Sequence, residues 1–164
     1  SKISEPRVAL LSNGEEEGKG TELIHEAATL LRDLPINFVG NIEPKEALTG
    51  GADVVVMDGF VGNIFIKTAE AATRTMALQL REEMMRTTIT KLGGALARPA
   101  FRRVQKMIDP FEIGGAPLLG VNGVVIIGHG RSNDRAIKNA IGQARKAVTG
   151  RVIESIESGL KTLA

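Results

Sequence analysis

The chain has 164 residues, 43% hydrophobic and 24% charged, with a formal net charge of +2, the make-up of a globular domain with one core. It has no cysteine, which excludes disulfides, thiolate nucleophiles and Cys-ligated metals, and its 2 histidines are too few for a His-rich metal site. Its 5 Phe, with no Trp or Tyr, offer little for stacking bases, and no apolar run is of membrane-spanning length and no signal peptide is visible, so the reading is a cytoplasmic domain without a nucleic-acid partner.

In chain order, residues 7–12 (RVALLS) form a short apolar run bounded by Pro6 and Gly14 and read as a buried strand. Residues 20–33 carry Leu23, Ile24, Ala27, Leu30 and Leu31 at helical spacing, and Pro35 stops that helix. A second strand is expected at 36–39 and a short helix at 43–48, ended by Gly50 and Gly51. A third strand spans 52–58, and a long helix is expected from 63 to about 86. Gly93, Gly94 and Pro99 are expected to break the next stretch into shorter pieces, and 109–123 reads as loop. A fourth strand is expected at 124–127, then a helix over 132–149 and a weakly amphipathic helix over 151–164. Near-continuous apolar strands separated by helices imply a mostly parallel α/β sheet covered on both faces. Ligands of such sheets sit beyond the carboxyl ends of the strands, so the loops leaving them carry the functional reading.

Two of those loops share a grammar. In MDGFVGNIFIK (57–67), Gly59 and Gly62 permit tight turns and close approach of a ligand, and Asn63 stands where a helix N-cap is expected. The free N–H groups and positive end of the helix behind it make an anion site, with Lys67 one turn in on the same face. In IIGHGRSND (126–134), His129 lies between Gly128 and Gly130, before Ser132 and Asn133, and reads as ligand-facing. It can donate to an anion or shuttle a proton, with Arg131 and Arg135 adding positive charge. Ordinary capping is the plain alternative for both loops. GEEEGKGT (14–21) imitates a phosphate-binding P-loop, but it is one residue short and its three glutamates repel phosphate. Residues 84–108 hold six basic residues and no acidic one, interleaved with apolar ones, the composition of a surface for an acidic protein or lipid headgroups.

LLSNGEEEGKG, INFVGNIE, ADVVVMDGFVGNIFIKTAE, GGAPLLGVNG and GHGRSNDRAIKNAI follow in this order. Together, over residues 6–148, they resemble the C-terminal half of the PlsX family, the bacterial phosphate acyltransferases of phospholipid synthesis. The resemblance implies a Rossmann-like α/β/α sandwich, similar to phosphotransacetylases and isopropylmalate dehydrogenases. It implies formation of acyl phosphate from acyl-[acyl carrier protein] and inorganic phosphate, with no nucleotide, metal or other cofactor. By motif, Asn63, Lys67 and His129 are carried over as catalytic, and Asp58, Gly59, Gly62, Gly130, Ser132 and Asn133 as substrate-binding. Arg98, Arg102, Arg103 and Lys106 are placed against the acidic carrier protein, and Leu92 and Leu96 against the inner membrane surface, in a homodimer. Family members are about twice this length, so residues 1–164 are expected to be one half of the domain, with the N-terminal half absent and the isolated chain not assumed active. A phosphotransacetylase-like enzyme using acyl-coenzyme A and a non-catalytic module binding carrier protein or membrane remain the alternatives.

Overall fold

A computed structural model describes residues 3–163 and divides into two compact units, the first ending at Leu80 and the second beginning at Arg81. The first unit is built on three parallel strands, β1 (Val8–Leu11), β2 (Phe38–Ile42) and β3 (Val54–Val56), in the order β2-β1-β3. This is the partial sheet of a Rossmann-like α/β fold, with α1 (Glu22–Arg32) and α2 (Pro44–Thr49) as its crossovers and α3 (Gly59–Met84) leaving β3. Ala9, Leu10 and Leu11 of the central strand, Ala28 of α1 and Ile42 of β2 form its buried apolar core. β2 runs two to three residues later than expected, because turns in which Ile36 N–H bonds Leu34 O and Phe38 N–H bonds Ile36 O occupy the predicted start.

The register of β1 on β3 is fixed at the strand starts. Arg7 donates from its main-chain N–H (2.9 Å) and its Nε (3.0 Å) to Asp53 Oδ2, and its carbonyl accepts from the N–H groups of Asp53 and Val54. These hydrogen bonds hold the Asp53 carboxyl below the usual carboxylate range and raise the Arg7 guanidinium.

The second unit contains the end of α3, then α4 (Thr88–Ile108), α5 (Pro110–Ile113), β4 (Ala116–Pro117), β5 (Ile126–Ile127), α6 (Asp134–Thr149) and α7 (Val152–Leu163). Two expectations are corrected here. Gly93, Gly94 and Pro99 do not break the chain: α4 is one helix of 21 residues with Pro99 inside it. A reciprocal capping box between Thr87 and Thr90 starts it, and interior Gly costs only about 1 kcal/mol in a helix. The strand at 124–127 does not join the parallel sheet. Its ordered part, Ile126–Ile127, pairs antiparallel with Ala116–Pro117 in a sheet of two strands, within a region read as loop. An apolar run specifies burial and not which partner it pairs with. Among the described residues no helix is long and apolar enough to cross a membrane.

Candidate functional site

In an order β2-β1-β3 the chain leaves β1 to one side and returns past it to the other, so β1 and β3 flank a topological switch point where open α/β sheets bind ligands. Ser12 stands one residue beyond β1 and Asp58 two residues beyond β3, at the carboxyl ends of the paired strands. Ser12 is buried and Asn13 beside it is exposed at the carboxyl end of β1. No local sequence pattern marks either residue, because the signal for them is the sheet order.

Across the switch point, α3 begins at Gly59, four residues earlier than expected. Its cap is therefore Asp58 and not Asn63: Asp58 Oδ1 accepts from the N–H groups of Phe60 and Val61, both at 2.9 Å. A carboxylate of the chain itself thus occupies part of the anion site expected at this helix end. Gly62, the buried glycine of the first turn, serves packing: a Cβ there would come within 2.9 Å of Met57 Cγ.

The early start also moves Lys67 along the helix. It lies eight residues beyond Gly59, about 12 Å up the axis at 1.5 Å per residue, too far for its ammonium to join an anion seated on the helix tip. Asn63 and Lys67 are instead neighbours at i and i+4 on one exposed flank of α3. The Lys67 ammonium lies 3.5 Å from Glu70 Oε2, a loose exposed pair that leaves its donors available to an anion on that flank.

The loop at 14–21 is tied down as a surface feature. Glu17 pairs with Arg32 at 2.6 Å, and the carbonyl of Lys19 accepts from His25 Nε2 at 3.1 Å and Asn41 Nδ2 at 3.3 Å. Glu15, Glu17, His25 and Arg32 line an open cavity of about 460 Å³ beside β2, on the sheet edge remote from β3.

The second loop belongs to the second unit. Asn133 caps α6, the plain alternative for this loop, its Oδ1 accepting from Ala136 N–H at 2.9 Å, and the helix starts at Asp134, two residues later than expected. Ser132 donates from Oγ (2.6 Å) and from N–H (2.9 Å) to the His129 carbonyl, closing the turn around Gly130. His129 is half-buried, with its ring edge-on to Phe111 at a centroid distance of 6.4 Å and an interplanar angle of 87°. Its Nδ1 accepts from Arg131 N–H at 3.3 Å, so the neutral ring carries its proton on Nε2. Arg135 does not add free positive charge: it binds Asp109 at 2.7 Å and Glu112 at 3.0 Å. Phe111 and the acidic partners of Arg135 had no signal in the sequence, since their contacts depend on how α5 docks.

On α4, Arg98, Arg102, Arg103 and Lys106 are exposed, and among the described residues none of them enters an ion pair. Ile89, Leu92 and Leu96, at 84%, 65% and 77% exposure, form an apolar stripe at helical spacing on the same helix. No group of three or more His, Asp or Glu side chains among the described residues is placed to hold a metal.

Residues 1–155 match the family model described as fatty acid synthesis protein. The chain is 46% identical over 157 residues to a phosphate acyltransferase of Acidobacterium capsulatum, covering 96% of the chain and 47% of that protein. It is 50% identical over 159 residues to one of Campylobacter lari, covering 97% and 48%, and 49% identical over 154 residues to one of Anaeromyxobacter dehalogenans, covering 94% and 43%. The chain therefore spans about half the length of the curated relatives it matches.

Proposed function

The chain belongs to the fatty acid synthesis protein family, and from that premise we propose that the intact protein transfers an acyl group from an acyl carrier protein thioester to inorganic phosphate. The observation that carries this reading is the name phosphate acyltransferase on relatives 46–50% identical over almost all of the chain. A phosphate oxygen attacks the thioester carbonyl carbon, the C–S bond breaks, the acyl–phosphate bond forms, and the departing thiolate takes a proton. The substrate is its own nucleophile, so a chain without cysteine is equipped for the reaction.

The protein's part is to hold phosphate and stabilise charge. Asn63 and Lys67 grip phosphate on the flank of α3, since Asp58 already caps the tip. Asp58, Gly59 and Gly62 shape the strand-to-helix turn beneath it. His129 offers its Nε2–H to the carbonyl oxygen as that becomes an oxyanion, in a turn shaped by Gly130 and held by Ser132 and Asn133. The exposed cations Arg98, Arg102, Arg103 and Lys106 meet the acidic carrier protein, and Leu92 and Leu96 rest on the inner membrane surface. The exposed apolar side chains along α3, Phe60, Ile64 and Met76 among them, suit burial against a second copy. The test is donor choice in the intact protein: phosphate-dependent loss of carrier-protein thioester supports the reading. Preference for acyl-coenzyme A assigns the chemistry to a phosphotransacetylase-like enzyme, and no thioester loss leaves a binding module.

A further inference from the structure

We propose that Arg135, Asn139 and Gln143, a polar stripe along α6, are positioning residues that set the His129 ring through Phe111; this rests on the reading of His129 as the oxyanion donor. The three side chains recur every fourth residue and so share one face of the helix. All three point their donors at α5. Arg135 bridges Asp109 (2.7 Å) and Glu112 (3.0 Å). Asn139 Nδ2 donates to the carbonyls of Phe111 (2.9 Å) and Glu112 (3.1 Å), and Gln143 Nε2 to that of Ile113 (3.4 Å).

These are the carbonyls that a short helix leaves without partners of its own. Asp109 completes the hold from the other end, its Oδ1 accepting from Phe111 N–H at 3.0 Å while its Oδ2 takes Arg135. The main chain of Phe111 is thus fixed at both N–H and carbonyl. The fit behind it is tight: a Cβ on Gly114 would lie 2.3 Å from Ala140 N of α6.

Phe111 in turn carries the catalytic loop. Its ring meets the His129 ring edge-on, and the Arg131 guanidinium stands over it at 5.8 Å from the centroid. The Arg131 N–H to His129 Nδ1 bond is long, at 3.3 Å, and Phe111 touches both residues that make it. That bond assigns the proton to Nε2. A displaced Phe111 lets the imidazole turn and its proton exchange between the two nitrogens, so that fewer molecules have the donor in place.

The experiment is nitrogen NMR of the His129 ring in the intact protein, in buffer alkaline enough to keep it neutral, with kcat measured in parallel. The parent should report the Nε2–H tautomer. Arg135→Ala and Asn139→Ala should each report mixed tautomers and lose about two- to fivefold in kcat, far less than the roughly 10²–10³ for deleting an oxyanion donor. Arg135→Lys, which reaches one carboxylate at a time, should recover part of both signals. Phe111→Leu leaves the main-chain bonds in place and should reproduce the effect even if the α6 variants fold poorly. A parent-like tautomer signal in folded Phe111→Leu and Asn139→Ala overturns the positioning role. Undiminished kcat in His129→Ala overturns the oxyanion reading instead, with the tautomer result still standing.

Discussion

Replacing Lys67 by Ala separates two effects of different size. Its structural contact is with Glu70, at 3.5 Å between side chains 56% and 36% exposed. An i,i+3 pair of that kind is worth roughly 0.2–0.5 kcal/mol, and Ala is the better helix former, so stability should barely change. If the ammonium binds phosphate, its removal deletes a charge-assisted hydrogen bond worth about 1.5–3 kcal/mol. At about 1.4 kcal/mol per tenfold, the phosphate KM should rise roughly 10- to 150-fold. The assay is initial rate against phosphate at saturating thioester, beside a thermal melt of each protein. Because KM equals a dissociation constant only when chemistry is slow, the melt is repeated with phosphate, whose stabilising shift should shrink in the variant. Glu70→Gln is the control: it frees Lys67 and should leave the phosphate KM unchanged or lower. An unchanged phosphate KM and an unchanged phosphate shift in a folded Lys67→Ala protein refute the flank site.

Asp58→Ala removes both cap bonds of α3 and should cost about 1 kcal/mol in urea unfolding, whereas Asp58→Asn keeps an acceptor and should cost a few tenths. If Asp58→Ala instead lowers the phosphate KM, the anion competes with the carboxylate for the helix tip. The folded pKa of Asp53 is depressed, so its stabilisation is fully present above the ordinary value of about 3.9 and is lost as pH falls through the folded value. The stability gap between the parent and Asp53→Asn should therefore be constant above that range and close in acid; a gap that widens on acidification contradicts the clamp. On α4, Arg102→Glu with Arg103→Glu should weaken use of carrier-protein substrate, most at low salt, while Leu92→Glu should release the protein from anionic vesicles with activity retained. Leu92→Glu floating with vesicles like the parent removes the membrane reading.

The alternation of strands and helices was legible because buried strands and amphipathic helices carry different periods, and β1, α1, α2 and α6 lie close to where the pattern puts them. The α3 start was misplaced because Gly59 and Gly62 read as loop. Asp58 captures two N–H groups at once, and Gly62 makes room for Met57, so helix outweighs the usual cost of glycine. At the site, residue types were legible and pairings were not. Asn133 has the residue type of a cap, but the pattern set the helix start at Ser132, two residues before Asp134. Arg135 was read as free charge because Asp109 and Glu112, its partners, lie 26 and 23 residues away and meet it only once α5 has docked on α6. Ser12 and Asn13 needed the strand order, which no local pattern encodes.

Everything proposed for the site requires inorganic phosphate to be the nucleophile. Phosphorus NMR of the intact protein with carrier-protein thioester and phosphate, run beside a thiol assay, tests it most directly. An acyl phosphate resonance should grow in step with free thiol, with no thiol release when phosphate is left out. Thiol release without phosphate, or with no acyl phosphate formed, would make the reaction a hydrolysis and contradict it.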